Sequence, residues 1–137
     1  MARHFFFYGT LRHDIAQGHA RTLIEGLEIV GAGTVAARLF AKRDPRGTYP
    51  VLVRGAGSVH GVVCRAGVGF SACARAAMDR YEGSEYIRRA VRVRLEGGGS
   101  LTADAYFYNR PITAALMRIA NGDFAHFLAV TGDPAFA

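Results

Sequence analysis

The spacing of apolar residues predicts more strands than helices. Residues 4–8 predict a buried strand because residues 5–8 form an unbroken apolar run, and Gly9 ends it. Further strands are predicted over residues 27–39, 50–53, 58–64, 87–95 and 101–108. Gly31 and Gly33 indicate a bulge or tight bend in the first of these, and residues 43–47 have the composition of a loop. The last two strands alternate apolar and polar positions around a Gly-rich turn, which predicts a hairpin.

Helical periodicity is confined to shorter segments. Residues 11–25 predict a helix or an irregular turn. Ser71 is a suitable N-cap for a helix that Gly83 ends, and its apolar face carries Ala74, Ala77, Met78 and Tyr81. Pro111 predicts the start of a helix with Ile112, Leu116 and Ile119 on one face, and Asp123 caps a second one. The pattern predicts an α+β class: a small, strongly curved mixed sheet or barrel with helices packed outside. A length of 137 residues favours a single domain over residues 1–137.

Charge and hydropathy narrow the function classes. The net charge is +6, and Lys42 is the only lysine. The arginines are spread along the chain instead of forming a block, so we expect no nucleic-acid partner. Apolar runs fall well short of the roughly 20 residues of a membrane span. Residues 1–4 lack the pattern of a secretion signal, and we therefore expect a cytoplasmic protein without membrane association.

The cysteines and histidines do not predict a metal site. Cys64 and Cys73 have no second pair and no histidine cluster beside them, and we expect two free, buried thiols. The histidines are scattered without the spacing that would place two on one helix face. We therefore predict no metal.

The turn after the first strand is a candidate binding site. The backbone N–H groups of Gly9, Thr10 and Leu11 lie between a strand and a probable helix, where they can converge on an anion or a developing oxyanion. An ordinary strand-ending turn remains the alternative, because the tetrapeptide Tyr-Gly-Thr-Leu at 8–11 is a weak signal by itself.

Glu82 is the candidate proton-transfer residue. At the C-terminal end of a helix the dipole disfavours a carboxylate and raises its pKa, which suits a general base near neutral pH. A solvated helix-end glutamate is the alternative. We expect Asp79 to form a local hydrogen bond or to pair with Arg75 or Arg80, and Glu85 to be exposed.

Tyrosine hydroxyls are further candidates for substrate contact. Tyr86, Tyr106 and Tyr108 could present them to a ligand, although tyrosines of the core or rim are commoner. The serines have no histidine and acid placed nearby in sequence as a recognisable nucleophile arrangement, and Gly-x-Ser-x-Gly is absent, which disfavours a serine hydrolase.

In combination these motifs resemble the γ-glutamylcyclotransferase-like family. The resemblance rests on Tyr-Gly-Thr-Leu at 8–11 and on Tyr-Glu-Gly-Ser-Glu-Tyr-Ile-Arg at 81–88, with weaker matches at 47–50, 59–62 and 105–108. Met78 stands where members often have Leu, and Thr10 replaces the commoner Ser. The resemblance implies a barrel-like α+β fold, a pocket between the 8–11 turn and the helix-end glutamate, and no metal or organic cofactor.

The resemblance also implies a reaction. The α-amine of a γ-glutamyl small molecule would attack its own γ-carbonyl, releasing 5-oxoproline and an amine, with Glu82 as the catalytic acid/base. The expected substrate-binding residues are Tyr8, Gly9, Thr10, Leu11, Tyr86 and Tyr106. Three alternatives stay open: a non-catalytic module that binds a small ligand, transfer of the γ-glutamyl group to another amine, and an Arg-rich nucleic-acid binder. The sequence determines neither the leaving amine nor the oligomeric state.

Overall fold

The computed structural model describes residues 3–136. Met1 and Ala2, on which the expectation of no secretion signal partly rests, lie outside the described residues, as does Ala137. In chain order the elements are β1 (His4–Phe7), α1 (His19–Leu23), β2 (Leu27–Val35), β3 (Arg38–Asp44), β4 (Gly47–Val53), β5 (Val59–Ala66), α2 (Ala72–Glu82), β6 (Tyr86–Leu95), β7 (Ser100–Tyr108), β8 (Met117–Arg118) and α3 (Phe124–Thr131).

Five of the strands close into a barrel in the order β1-β5-β2-β6-β7. Parallel pairing between β1 and β7 completes the ring, while the other neighbours are antiparallel. A separate three-stranded sheet has the order β4-β3-β8. The register of β2 against β5 shifts between Ile29 and Gly31, which is the bulge that the glycine predicted. The predicted α+β class with a strongly curved, barrel-like sheet is confirmed.

Strand β1 is buried on both faces. Phe6 and Tyr8 contribute to a core inside the barrel that continues to the three-stranded sheet. Phe5 and Phe7 point the other way, into a second core that α1 and α2 cover. This double burial explains the unbroken apolar run, because a strand covered on both faces does not alternate with polar residues. It also fixes the turn that follows the strand.

Helix α2 forms as the sequence predicts. The Ser71 hydroxyl accepts a hydrogen bond from the Ala74 N–H at 3.1 Å, and Gly83 ends the helix with a positive φ of 80°. Met78 is fully buried, and Tyr81 packs against the same core. These contacts hold α2 against the barrel and thereby fix the position of its last residue, Glu82.

Two predicted elements are wrong. Residues 27–39 form parts of two strands in different sheets, because the chain bends at 36–37 and Leu39 already belongs to β3, which pairs with β4. The helix predicted from Pro111 is a turn followed by β8, which pairs with the exposed edge of β3. There the backbone hydrogen bonds of a sheet edge outweigh the helical spacing of the apolar residues. The predicted loop at 43–47 narrows to a two-residue hairpin turn at 45–46.

The remaining expectations concern thiols, metals and membranes. Both cysteines are free, but only Cys64 is buried; Cys73 is exposed near the start of α2, where no other element covers it. Among residues 3–136 no group of His, Cys, Asp and Glu side chains is placed to hold a metal ion. None of the helices in this range is long and apolar enough to cross a membrane.

Candidate active site

A cavity of about 230 Å³ lies between the turn after β1, the end of α2 and the β3–β4 hairpin. Every residue predicted for the site lines it, namely Tyr8, Gly9, Thr10, Leu11, Glu82, Tyr86 and Tyr106. The other lining residues are Phe6, Phe7, Asp44, Arg46, Tyr49, Pro50, Tyr81, Glu85 and Phe136. Tyr108, the third candidate tyrosine, is not among them and packs edge-on against Tyr86. The fold thus brings together segments that are far apart in sequence.

The turn after β1 presents backbone to the cavity. It is closed by a hydrogen bond from the Arg12 N–H to the Gly9 carbonyl at 2.9 Å, which uses neither the Thr10 nor the Leu11 N–H. Gly9 lies so close to Pro50 that a Cβ atom would stand 2.4 Å from the proline Cγ. No other residue type fits there without displacing the proline. The two N–H groups beside Gly9 are therefore suited to bind an anionic or carbonyl oxygen.

Glu82, the last residue of α2, is half-buried and lines the cavity. Burial raises the pKa of Glu82 to about 8, and the negative charge of Asp79 adds to this effect. The direction agrees with the sequence argument, but its main cause is desolvation rather than the helix dipole. At neutral pH the carboxyl is mostly protonated, and a nearby positive charge favours its ionisation.

The side chain of Asp79 lies near this carboxyl and is bound by side chains of the barrel strands. It accepts hydrogen bonds from Arg88, with Nε–Oδ1 at 3.0 Å and Nη2–Oδ2 at 3.2 Å, and from the Tyr106 hydroxyl at 2.6 Å. Arg88 also donates to Asp104 at 2.9 Å. The expected pairing of Asp79 within its own helix is therefore wrong, because its side chain faces strands β6 and β7.

The tyrosine hydroxyls of the site are engaged within the protein. Tyr8 donates to the backbone oxygen of Tyr106, and Tyr86 donates to the Pro50 carbonyl at 2.7 Å. Burial raises the pKa of the Tyr8, Tyr86 and Tyr106 hydroxyls, which keeps these side chains neutral. They shape the cavity wall and link β1, β4, β6 and β7 around it.

Glu85 lines the cavity, contrary to the expectation that it is exposed. It was expected to be exposed, but it is half-buried and accepts hydrogen bonds from Lys42 Nζ at 2.5 Å and from the Tyr49 hydroxyl at 2.7 Å. Burial opposes its ionisation, yet the bonds from Lys42 and Tyr49 outweigh that effect and leave its pKa below the ordinary value. With both oxygens bound, Glu85 is a fixed anion and a poor proton acceptor.

Other cavity residues were not found from the sequence. The Tyr81 hydroxyl donates to Thr10 Oγ1 at 2.9 Å, tying the end of α2 to the turn. The Arg46 guanidinium lies 4.7 Å from the centre of the Phe136 ring. Tyr49 belongs to the match at residues 47–50, so the resemblance to the family could have indicated it as a cavity residue. Arg46 and Phe136 belong to no motif, and only the fold brings them together.

The closed barrel, with one cavity lined by a glutamate of raised pKa and by a glycine turn, places the protein in a class of small barrels that carry a ligand pocket. The chain belongs to the family described as gamma-glutamyl cyclotransferase, AIG2-like, whose model matches residues 5–126. Among curated proteins no significant match is found.

Solved structures share the fold at low sequence identity. An uncharacterised protein of Pyrococcus horikoshii is 19% identical with a TM-score of 0.67, over 94% of this chain and 95% of that one. The protein ytfP of Escherichia coli is 28% identical with a TM-score of 0.61, over 88% and 95%. A structure named as a gamma-glutamyl cyclotransferase is 15% identical with a TM-score of 0.62, over 80% and 68%. Identities this low support a common fold, and activity has to be argued from the site.

Proposed function

We propose that the protein cyclises the γ-glutamyl group of a small molecule to 5-oxoproline and releases an amine, with Glu82 as general acid/base. The observation that carries this proposal is that Glu82, whose pKa burial raises to about 8, lines the same cavity as the backbone turn at Gly9. A base tuned to this range can accept a proton from an ammonium group and return it. Membership of the family and the named gamma-glutamyl cyclotransferase structure support the same reaction.

The proposed steps require one proton carrier and no covalent enzyme intermediate. Glu82 in its ionised form takes a proton from the α-ammonium of the substrate. The freed amine attacks the γ-carbonyl carbon and forms the C–N bond of the five-membered ring. The bond to the leaving nitrogen then breaks as Glu82 hands its proton to that nitrogen. The carboxylate regenerated in this step takes the second proton from the ring nitrogen, which leaves the neutral lactam of 5-oxoproline and the free amine. Because the closure is intramolecular, a site that holds the glutamyl chain folded supplies much of the rate enhancement.

The turn at residues 9–11 is the proposed anchor of the glutamyl part. The Thr10 and Leu11 N–H groups, which the hydrogen bond closing the turn does not use, suit either the α-carboxylate or the γ-carbonyl oxygen, and the tight packing of Gly9 on Pro50 keeps the turn preorganised. Tyr8, Tyr86 and Tyr106 are proposed to hold the walls through the hydrogen bonds described above. The two free thiols agree with a reducing compartment, and we place the reaction in the cytosol.

The proposal is tested by 5-oxoproline release from a panel of γ-glutamyl compounds. The parent protein is compared with Glu82→Gln, which keeps the shape but cannot carry the proton, and with Glu28→Gln as a matched surface control that loses only an exposed ion pair with Arg65. We expect Glu82→Gln to lower kcat by roughly 10²–10⁴-fold at an unchanged fold. The surface variant should match the parent.

Two other results would change the assignment. Equal activity of the parent and Glu82→Gln would remove Glu82 from the reaction. If neither protein releases 5-oxoproline but one compound raises the melting temperature, the protein is a binding module that uses the same cavity.

A further inference from the structure

A glycine-rich loop at residues 54–58 joins β4 to β5. It lies at the end of the three-stranded sheet opposite the β3–β4 hairpin, because it follows the pair Arg38–Val53, where the β3–β4 ladder ends. The loop is exposed, and within residues 3–136 the N–H groups of residues 55–57 donate to no protein oxygen. Successive backbone N–H groups in such a loop can bind an anion, although water alone can also satisfy them.

The side chain of Arg38, the first residue of β3, packs against this loop without a polar partner. A Cβ atom added to Gly55 would stand 2.5 Å from Arg38 Nε. That Nε is buried and has no hydrogen-bond partner, and the accessible nitrogens Nη1 and Nη2 have no acceptor among residues 3–136 either. Burying a guanidinium nitrogen without an acceptor costs free energy, and such groups are rare in folded proteins. Arg38 is thus held by packing, with its terminal donors left for an acceptor that the protein does not supply.

A second guanidinium stands on the same face of the sheet. Arg118 of β8 pairs with Phe40 of β3, so it projects from the face that also carries Arg38, at a diagonal position about 7–8 Å away. The Arg118 guanidinium lies 5.9 Å from the centre of the Phe40 ring. In the part of the chain that the structure describes, neither arginine pairs with a carboxylate. Their mutual repulsion is a cost that a bound anion would offset.

Arg54 adds a third positive charge at the start of the loop. Its guanidinium lies 5.5 Å from the centre of the Phe107 ring, and within the described range it also has no carboxylate partner. Elsewhere three cations with buried or half-buried side chains each pair with a carboxylate, namely Arg12, Lys42 and Arg88. Positive charge at this end of the sheet is therefore not balanced by ion pairs.

We propose that Arg38, Arg118 and the N–H groups of residues 55–57 bind a phosphate group. A phosphate carries a charge of about −1.5 to −2 near neutral pH, and its oxygens can accept from a planar guanidinium and from backbone N–H groups at the same time. The site is separate from the cavity, because six residues of β3, or about 20 Å, lie between Arg38 and the cavity residue Asp44. The inference is therefore independent of the reaction proposed for the cavity.

The test titrates the protein with inorganic phosphate and with glycerol 3-phosphate, at an ionic strength kept constant with chloride. Amide signals of residues 55–57 in ¹H–¹⁵N spectra report binding at the loop, and melting temperatures report the linked gain in stability. Arg38→Met keeps an unbranched apolar stem, Arg38→Lys keeps the charge without the planar fork, and Arg118→Gln removes the second cation. Arg92→Gln is the matched control, since Arg92 is an exposed arginine of β6 without an ion pair in the described residues.

The parent and Arg92→Gln should show saturable shifts of the loop signals and a rise in melting temperature with phosphate. Arg38→Met should weaken binding by about tenfold or more, and Arg38→Lys and Arg118→Gln by less. Without phosphate, Arg38→Met should melt no lower than the parent, because Arg38 has no hydrogen bond within residues 3–136 to lose. Tighter binding of glycerol 3-phosphate would assign the site to a phosphorylated small molecule, and tighter binding of inorganic phosphate to the free ion; both support the site.

Two results would overturn this inference. If the parent shows no saturable shift of the loop signals with either probe, the loop binds no phosphate. If folded Arg38→Met binds phosphate as tightly as the parent, the anion does not bind at Arg38. Should Arg38→Met fail to fold, undiminished binding by Arg38→Lys would contradict the inference in the same way, because an ammonium lacks the guanidinium fork.

Discussion

At the scale of single residues, the position of Glu82 is unfavourable for an ionised group. Its carboxyl is desolvated at a helix C-terminus and feels the negative charge of Asp79, so ionisation costs free energy that an exposed glutamate would not lose. Active sites commonly contain ionisable groups in unfavourable surroundings, and such groups lower the stability of the folded protein. A neutral residue of the same shape should therefore relieve the cost.

The pH dependence of stability tests this cost directly. The pKa of Glu82 is about 8 in the folded protein against an ordinary 4.5, so the folded state binds the proton more tightly. The resulting stabilisation is full below pH 4.5 and is lost as the pH rises through 8. Glu82→Gln removes this loss and should stabilise the protein at pH 9 relative to the parent by on the order of 2 kcal/mol, with little difference at pH 5.

Thermal unfolding of the two proteins across this pH range is the measurement. At pH 9 the variant should melt higher by roughly 3–8 °C. Parallel melting curves from pH 5 to pH 9 would show that the carboxyl ionises as freely as an exposed one.

At the scale of elements, the β3–β4 hairpin and the segment Asp133–Phe136, here called the strap because Thr48 of β4 binds it through its backbone, depend on a glycine. Gly47 has a φ of +126°, and a Cβ atom there would stand 2.6 Å from the backbone of Ala135 and Phe136. The glycine thus serves two purposes: it permits the hairpin conformation and it leaves room for the strap to lie against β4.

Comparing Gly47→Ala with Gly98→Ala separates the cost of the backbone conformation from the cost of displacing the strap. Gly98, in the β6–β7 turn, has a φ of +109° but nothing within 4 Å of an added Cβ. Gly47→Ala should lower the free energy of unfolding by roughly 1–3 kcal/mol more than Gly98→Ala, because it also displaces the strap. Chemical denaturation of both variants provides the comparison. Equal losses would mean that the strap moves aside at no cost.

At the scale of the whole molecule, the sequence predicted what depends on local pattern. The buried strand at 4–8, the helix capped by Ser71 and the hairpin around Gly97-Ser100 follow from periodicity and turn residues, and they form as expected. The resemblance placed the turn and Glu82 in one pocket, and the fold brings them there.

What the sequence did not predict depends on distant contacts. The segment after Pro111 has helical spacing, but Met117–Arg118 pair with β3 and form a two-residue strand instead. Glu85 looked like a solvated residue because Lys42 and Tyr49, which bind it, lie some 36 to 43 positions away. Asp79 likewise binds Arg88 and Tyr106, which lie on barrel strands and not on its own helix. Such pairings are set by strand register, which short-range patterns do not contain.

The central claim is that an ionised Glu82 with a raised pKa removes the proton from the substrate. The most direct measurement is kcat/KM for 5-oxoproline formation between pH 5.5 and 7.5, a range in which the substrate amine stays protonated. Because the folded pKa is about 8, the ionised fraction of Glu82 rises about tenfold per pH unit here, and kcat/KM should rise with it. A flat profile over these two units would contradict the claim, since a carboxyl with an ordinary pKa is already fully ionised there.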